Sequence, residues 1–583
     1  MSLGLQSLGA ETISRWLSRI MWRLEHAFER ARASDKPEDD TRIRIFVVGA
    51  LFATGFAALA IGATRAALFN DAGRGDGSTA PVTTARGDLT DRNGELLAAD
   101  LLHYGLYIDP REIWDAAETR RALRSALPDL DAARLERALR GGRRTFVMGG
   151  LTPQVRSKVY DLGLPGVSFE PEQRRVYPLG YTGAHLVGFV DGGGEGLAGA
   201  EGAFNDEIHQ LASGDKTMPL AMDLRIQAAA EDELYKSVAQ FRPKGAVAVV
   251  VNVHSGEILA LANYPTFNPN EPGRSSLDAR LNRAAAAIYE MGSTFKGFTV
   301  AIGLDTGVAT PMSTYDARQP FHIGYRTIND FHATHKVLTL VEVFQHSSNI
   351  GTARLAEQIG PTRMGRYYAA LGLTQPAKVE LMESARPLTP KVWDEDAVAS
   401  TSFGFGINVS PLAVTRAYVA LANGGKLVPL TIRKLPPGAK VDGPQVVSPR
   451  TTEQLLQIMR ANVTGGSGKS ANVPGLNVGG KTGTGNKFDP ATRRYSSTKQ
   501  VSSFAAVFPT DGPVTDPRYF VLVLMDEPRP DASGADPTGG IAAAPAAGRI
   551  IERIAPFVGV ERRMDTAPFT EVNADPNDAK EEH

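Results

Sequence analysis

The sequence predicts a membrane-anchored α/β (α+β) protein: a catalytic domain with a central antiparallel sheet flanked by helices, preceded by an elongated α+β module. Three observations support this prediction. The chain has 583 residues, more than one hydrophobic core of about 250–300 residues can hold. An uncharged apolar run at 45–64 is long enough to cross a bilayer as a helix. Apolar strand patterns at 245–263 and 500–525 enclose a long series of helical patterns.

The composition excludes several classes of function. The net charge is −1, so no basic field favours a nucleic-acid partner. The chain has no cysteine, which rules out disulfides, thiolate nucleophiles and cysteine-ligated metals. His332 and His335 lack further ligands at suitable spacing, so we expect neither a metal nor a cofactor.

The N-terminal part is predicted to be a cytoplasmic arm (1–44) followed by one transmembrane helix (45–64). Lys and Arg are more frequent in 25–44 than in 65–84, which places the N-terminus in the cytoplasm and the rest of the chain outside. The arm contains an amphipathic pattern at 13–28 that suits either the inner leaflet or a partner protein. A cleaved signal peptide or a buried globular helix is less consistent with the long arm and the fully apolar run.

Residues 65–216 are predicted to form a linker and a non-catalytic α+β pedestal. A Gly- and Ser-rich stretch at 70–84 indicates a flexible linker. The Asn93-Gly94 pair between short apolar runs predicts a hairpin, and 115–140 has a helical pattern. No grouping of acid, base and nucleophile in this module suggests catalysis.

Residues 217–559 are predicted to be the catalytic domain, and 560–583 a disordered tail. A helix from Asp223 to Val238 precedes a hairpin of strands Gly245–Val253 and Glu257–Asn263. The remaining predicted elements are helices at 296–306, 339–358, 362–371, 410–423 and 451–464, and strands at 500–508 and 518–525.

The first candidate for chemistry is the pair Ser293 and Lys296, which lie one helical turn apart. A serine hydroxyl needs a base, and lysine is a base only when its pKa falls several units below about 10.4. Apolar neighbours at 291, 295 and 298 can bury the amine, and Lys481 can add a second cation. The spacing alone is common in long proteins, so we hypothesise a neutral Lys296 only together with two further motifs.

Those motifs are Ser347-Ser348-Asn349 and Lys481-Thr482-Gly483-Thr484. Ser347 can pass a proton to a leaving amine and Asn349 can bind a substrate amide, although a helix-capping turn is the alternative. Lys481, Thr482 and Thr484 can bind a carboxylate from the edge of a strand, where Gly483 lets a substrate backbone approach, although a simple lysine turn is the alternative. The three motifs in this order are jointly specific.

The order of the motifs resembles that of penicillin-binding proteins and β-lactamases. Further segments make the chain resemble class B, monofunctional penicillin-binding proteins, over about 45–555: 86–94, 177–201, Asp223 and Gln227, 403–412, and 539–545. Within this class the arm, single anchor and pedestal most resemble the division-specific D,D-transpeptidases of the FtsI type. One departure is Phe295, where many members have valine; we expect it to point away from the catalytic face.

The resemblance implies cross-linking of peptidoglycan stem peptides in the periplasm, at the inner membrane, during septum formation. It implies that Ser293 attacks the penultimate D-alanyl carbonyl, that backbone N–H groups of Ser293 and Thr484 form the oxyanion hole, and that Thr482 and Thr484 bind the terminal carboxylate. β-Lactams are expected to acylate the same serine. Expected partners are a polytopic glycosyltransferase of the FtsW type and other divisome membrane proteins.

Several alternatives remain open at this stage. An elongation-specific class B transpeptidase is the nearest, and a D,D-carboxypeptidase fits the chemistry alone. A β-lactam sensor or a catalytically silent divisome scaffold represents a different class. A β-lactamase is disfavoured by the anchor and pedestal. The segment 465–470 superficially resembles a phosphate loop but has Val463 where the first glycine is required.

Overall fold

The computed structural model describes residues 85–212, 217–324, 326–489, 492 and 494–564, together with 26, 48 and 52. The predicted arm and transmembrane helix therefore lie almost entirely outside the described residues, as does 565–583 of the predicted tail. Within the described part, every helix is too short or too polar to cross a bilayer.

The chain divides into two compact units, whose described parts are 104–170 and, in the larger unit, 85–103 with 171–564. The pair β1 (Asp88–Thr90) and β2 (Leu96–Ile108) is the predicted hairpin, with Leu89 opposite Ala98 and Gly94 at a positive φ of 95° in its turn. Strand β2 continues into the smaller unit. The predicted helix at 115–140 is two helices there, because Pro128 interrupts the pattern.

The smaller unit has its own apolar core. Leu106, Leu123, Leu135 and Val147 are buried in it. Asp115 and Asp131 cap the two helices by accepting hydrogen bonds from backbone N–H groups of the first turn. Its elements after β2 are α1 (Ala116–Ala126), α2 (Ala132–Arg140), β3 (Thr145–Leu151), α3 (Pro153–Tyr160) and the start of β4 (Val167–Val176).

In the larger unit, short elements precede the main sheet: α4 (Ala184–Val187), β5 (Phe189–Val190), β6 (Gly196–Ala198), α5 (Gly199–Ala203), α6 (Asn205–Leu211) and β7 (Thr217–Pro219). Strand β7 pairs with β1 in parallel. These helices were not predicted, since their glycine-rich sequence favours turns.

A buried ion cluster joins the early segments of this unit. Both oxygens of Glu201 are engaged: Arg86 Nη2 donates to Oε2 (2.7 Å) and Arg175 Nε donates to Oε1 (2.6 Å). The side chains of Arg86, Glu201 and Arg175 are 1%, 0% and 3% exposed. Removal of the central carboxylate would leave the buried Arg86 guanidinium without an anion, and Arg175 with only the longer contact to Asp100 (3.3 Å).

We therefore expect Glu201→Ala to lower the free energy of unfolding by about 3–5 kcal/mol, measured by urea denaturation. The matched control is Glu207→Ala, which breaks the partly exposed pair with Arg433 and should cost less than about 1 kcal/mol. Equal effects of the two substitutions would contradict this role for Glu201.

The main sheet is antiparallel, as the sequence predicts, and has five strands in the order β14-β15-β16-β8-β9. The predicted hairpin is β8 (Gly245–Asn252) and β9 (Ile258–Tyr264). The last strands are β14 (Gly479–Asp489), β15 (Arg494–Phe508) and β16 (Tyr519–Asp526). Residues of β8 alternate between two apolar cores, Val247 and Val249 on one face and Ala248 and Val250 on the other. Burial on both faces explains the continuous apolar run.

Helices cover both faces of this sheet. One face packs against α7 (Leu224–Phe241) and the last helix, α17 (Ala544–Ile554). The other face packs against a larger helical layer that includes α10 (Lys296–Asp305) and α15 (Pro411–Ala422). The rest are α8 (Leu277–Arg280), α9 (Arg283–Ala286), β10 (Thr314–Asp316), β11 (Phe321–Ile323), β12 (Arg326–Ile328), β13 (Val337–Thr339), α11 (Leu340–Gln345), α12 (Asn349–Ile359), α13 (Pro361–Ala370), α14 (Glu395–Thr401) and α16 (Pro449–Gly465).

Two predicted boundaries differ from the structure. The predicted helix 339–358 is two helices, α11 and α12, separated at 346–348. The predicted disordered tail began at 560, but the Arg563 N–H still donates to the carbonyl oxygen of Gly475 (2.8 Å). The domain packing thus continues past 560.

Candidate active site

Ser293 lies in a short 3₁₀ turn, Gly292–Phe295, that leads directly into α10 at Lys296. Gly292 has a φ of +54°, and a Cβ atom there would lie 2.5 Å from the carbonyl oxygen of Thr484. A Cβ atom at Gly404 would lie 2.1 Å from the carbonyl oxygen of Gly292. Glycine at both positions therefore allows the turn to fit closely between β14 and the loop around 404.

The amine of Lys296 is fully buried and faces the second motif. It donates to Asn349 Oδ1 (2.8 Å), to Ser347 Oγ (3.0 Å) and to the carbonyl oxygen of Ser347. Neither the amine of Lys296 nor that of Lys481 is hydrogen-bonded to the Ser293 hydroxyl, although Ser293 and Lys296 lie one helical turn apart. Such bonds are often long before substrate binds.

Lys481 brings a second buried amine to the same oxygen. Its Nζ donates to Ser347 Oγ (3.0 Å) and to the carbonyl oxygen of Thr482 (3.1 Å). Both lysine side chains are completely buried. Ser347 Oγ is therefore the point where the first, second and third motifs meet.

Burial lowers the pKa of Lys296 to about 7, and the nearby Asp330 carboxylate acts in the opposite direction. Burial, followed by the charge of Lys296, holds the pKa of Lys481 well below its usual range. Burial thus lowers the pKa of Lys296, as predicted, but the predicted contribution of the charge of Lys481 does not act on Lys296. The repulsion between the two amines acts instead on the pKa of Lys481.

Phe295 is buried away from the lysine pair, as its spacing predicts. Its ring contacts those of Phe298 (5.2 Å between centroids) and Tyr368 (5.8 Å) edge to face. The side chain thus belongs to the helical core, where it helps to exclude water from the segment that holds Lys296.

The second motif combines two functions that the sequence presents as alternatives. Ser348 caps α12, because its hydroxyl accepts from the Gly351 N–H (3.0 Å). Ser347 precedes it with a φ of +56°, which is unfavourable for a residue with a side chain. The capping interpretation therefore applies to Ser348, and the strained backbone of Ser347 presents its hydroxyl to the amines.

Asp330 supports this arrangement and was not predicted. Its carboxylate accepts from Ser348 Oγ (2.7 Å) and from the Ile350 N–H (2.9 Å). The neighbouring Asn329 carbonyl oxygen accepts from Asn349 Nδ2 (3.0 Å). Only the folded chain places residues 329–330 on the second motif, so no spacing in the sequence could have indicated them.

We expect Asp330→Asn to move the pH dependence of acylation to lower pH. The carboxylate raises the pKa of Lys296, so its loss lowers that pKa and leaves the amine neutral in more acidic solution. The measurement is the rate of covalent labelling by a fluorescent penicillin between pH 5 and 9. Asp316→Asn, whose carboxylate pairs with Arg318, is the control and should leave the profile unchanged. A shift to higher pH in Asp330→Asn would contradict this account.

The third motif lies on β14, which is an edge strand of the main sheet, as predicted. Thr482 Oγ1 bonds with Ser467 Oγ (2.8 Å), and Thr484 Oγ1 accepts from the Gly539 N–H (3.0 Å). A Cβ atom at Gly483 would lie 2.4 Å from the Met291 carbonyl oxygen. Glycine is therefore required there for packing against the nucleophile-bearing segment, a reason different from the predicted approach of substrate.

Two further groups near the motifs were missed. Ser467 belongs to the segment dismissed as a false phosphate loop, yet its hydroxyl bonds with Thr482 and with Asn462 Oδ1 (3.1 Å). Glu290 lies three residues before Ser293 and accepts from the Gly406 N–H (2.8 Å). Across the described residues, no group of three or more His, Cys, Asp or Glu side chains could hold a metal ion.

The arrangement can perform serine acyl transfer without histidine. A hydroxyl in a tight turn, a buried amine with a pKa near neutrality and a second hydroxyl between two amines are the groups needed to accept and return a proton. The open edge of β14 can pair with an extended peptide.

Comparisons with known proteins agree with this geometry. Residues 246–552 match the family model described as the penicillin binding protein transpeptidase domain, and 81–202 match the penicillin-binding protein dimerisation domain. The chain is 61% identical to the probable peptidoglycan D,D-transpeptidase FtsI of Caulobacter vibrioides, over 94% of each chain. It is 30% identical to the peptidoglycan D,D-transpeptidase FtsI of Escherichia coli K12, over 85% of this chain and 87% of the relative.

A solved structure shows the same fold. The crystal structure of penicillin binding protein 3 from Mycobacterium tuberculosis, complexed with ampicillin, superposes with a TM-score of 0.64 at 26% identity. The match covers 84% of this chain and 98% of that one.

Proposed function

Because this chain belongs to the class B penicillin-binding proteins, we propose that it is a peptidoglycan D,D-transpeptidase that cross-links stem peptides through an acyl-enzyme on Ser293. The observation that supports the assignment of the site most strongly is the hydroxyl of Ser347, which lies 3.0 Å from each of two buried lysine amines. A purely structural serine has no need of two buried amines, whose burial is unfavourable when they are charged.

In the first half-reaction Ser293 Oγ attacks the penultimate D-alanyl carbonyl of a donor stem peptide, and neutral Lys296 takes its proton. Ser347, between Lys296 and Lys481, passes a proton to the leaving nitrogen, and D-alanine departs. Thr482 and Thr484 bind the terminal carboxylate, and Asn349 binds a substrate amide. Backbone N–H groups of Ser293 and Thr484 stabilise the oxyanion. In the second half-reaction an acceptor amine takes the acyl group, and β-lactams acylate the same serine.

We assign residues 1–44 to a cytoplasmic arm, 45–64 to a membrane anchor, 65–216 to the linker and pedestal, 217–559 to the transpeptidase domain and 560–583 to the tail. The start of the tail, as far as Arg563, still packs against the transpeptidase domain. The uncharged run and the bias of basic residues support the anchor and its orientation in the inner membrane, with the catalytic domain in the periplasm. Septal synthesis, with an FtsW-type glycosyltransferase and other divisome proteins as partners, is supported by the similarity to FtsI relatives.

Product analysis tests the reaction. The full-length protein, given an acylated D-Ala-D-Ala peptide and an acceptor amine, should release D-alanine and form the new amide. Hydrolysis alone, with no amide at high acceptor concentration, would instead indicate a D,D-carboxypeptidase. A fluorescently tagged copy should concentrate at midcell; an even side-wall distribution would favour the elongation-specific alternative.

A further inference from the structure

Within the described residues, only one of the two oxygens of the Glu290 carboxylate is hydrogen-bonded. Its Oε1 accepts from the Gly406 N–H (2.8 Å) and from the Tyr495 hydroxyl (3.1 Å). Its Oε2 is buried and has no hydrogen-bond partner among the described residues. A buried carboxylate oxygen without a donor is unfavourable, so its presence calls for an explanation. One explanation is a donor that arrives with a substrate.

The position of Glu290 relative to the motifs limits what that donor can be. Along β14 the strand meets the nucleophile-bearing segment in order, with Gly483 against Met291, Thr484 against Gly292, and Gly485 against the carbonyl oxygen of Glu290. The amines of Lys296 and Lys481 lie at the other end of this contact, beside Ser347. Glu290 therefore flanks Ser293 on the side away from the lysines.

Solvent-exposed aromatic residues lie beside Glu290 on this side of the site. Tyr495 contacts Phe405 (5.4 Å between ring centroids) and Phe488 (5.6 Å), and the side chains of Tyr495 and Phe488 are 43% and 48% exposed. Burial holds the pKa of Glu290 above its usual range, although hydrogen bonds from the Gly406 N–H and the Tyr495 hydroxyl lower it. Burial and the charge of Glu290 raise the pKa of Tyr495, and the charge of Arg326 lowers it. Burial leaves the Glu290 carboxylate in surroundings of low polarity, where it can bind a cation strongly.

We propose that Glu290 Oε2 receives the ammonium group of the acceptor stem peptide and takes its first proton. This inference rests on the proposed transpeptidase function, and it concerns only the second half-reaction. An amine reaches the enzyme as an ammonium ion, whose nitrogen has no lone pair for attack on the acyl-enzyme. A carboxylate on the side opposite the lysines can bind that cation and convert it into the reactive amine.

The first proton moves from the ammonium nitrogen to Glu290 Oε2, leaving a neutral amine and a carboxylic acid. The nitrogen lone pair forms a bond to the acyl carbon, and the bond between that carbon and Ser293 Oγ breaks. The second nitrogen proton passes to Ser293 Oγ through the amine of Lys296. The proton on Glu290 returns to water when the cross-linked product leaves.

The test compares two rates in the full-length protein, with Glu290→Gln as the variant. Labelling by a fluorescent penicillin reports acylation, which involves no acceptor. The ratio of aminolysis to hydrolysis, with an acylated D-Ala-D-Ala peptide and meso-diaminopimelic acid as the amine probe, reports the second half-reaction. At pH 7 we expect the ratio to fall about 10-fold or more, with labelling within about two-fold of the parent. Raising the pH towards 10 should restore the ratio, because the probe is then already neutral.

Glu271→Gln is the matched control, since it removes an exposed carboxylate that pairs with Arg274, and it should change neither rate. An unchanged ratio in Glu290→Gln would overturn the proposal. A parallel loss of labelling and aminolysis that high pH does not restore would also overturn it, because Glu290 would then only support the loop at Gly406.

A second variant keeps the carboxylate. Tyr495→Phe removes the hydroxyl that lowers the pKa of Glu290, so the rise of the ratio with pH should move to higher pH. An unshifted profile would contradict the proposal. These outcomes are separate from the proposed function, which fails instead if penicillin labelling does not require Ser293.

Discussion

Ser293→Ala is expected to abolish covalent labelling of the full-length protein by a fluorescent penicillin. The label is an ester with Ser293 Oγ, and no other atom of this residue can form it. The Ser293 hydroxyl is not hydrogen-bonded to either buried amine. We therefore expect its removal to change the free energy of unfolding by less than about 0.5 kcal/mol. In-gel fluorescence gives the labelling, and urea denaturation gives the stability.

The control for this substitution is Ser533→Ala, which removes the hydroxyl of an exposed loop residue and should label like the parent. Persistent labelling of Ser293→Ala, mapped by mass spectrometry to Ser347 or to another residue, would end the assignment of the nucleophile. Loss of labelling together with loss of folding would contradict the expectation that the hydroxyl is structurally dispensable.

Lys296→Met is expected to lower the rate constant of penicillin acylation by about 10²–10⁴-fold. Methionine keeps most of the buried volume of the side chain but cannot accept the proton of Ser293. Stopped-flow fluorescence measures the rate, and Lys469→Met, at an exposed lysine in the turn after α16, should leave it unchanged. A parental rate in Lys296→Met would show that Lys481 or water is the base.

Much of the fold was predictable because the decisive patterns are local. The apolar runs that flank His254-Ser255-Gly256 predict the β8–β9 hairpin, and Asp223 marks the start of α7 as its cap. Residues 339–358 follow one helical pattern, and only the capping turn considered at Ser347-Ser348-Asn349 indicated the break between α11 and α12. Its cause is the left-handed backbone of Ser347, which no pattern of apolar residues shows.

The candidate site was predictable as far as its motifs extend. Ser293, Lys296, Ser347 and Lys481 carry side chains whose chemistry is recognisable in order along the chain. Asp330 and Ser467 act on these residues only through tertiary contacts, Asp330 through Ser348 and Ser467 through Thr482, so only the folded chain could indicate them. Glu290 stands three residues before Ser293 in the sequence, but only the fold shows that its carboxylate bonds with Gly406 and Tyr495.

The most direct test of the account is the pH dependence of penicillin acylation in the full-length protein. If neutral Lys296 takes the proton of Ser293, the acylation rate should rise with pH through about 7 and level off above it, since the pKa of the amine is about 7. A rate that keeps rising towards the ordinary lysine pKa of about 10.4, or that does not change between pH 5 and 9, would contradict this base.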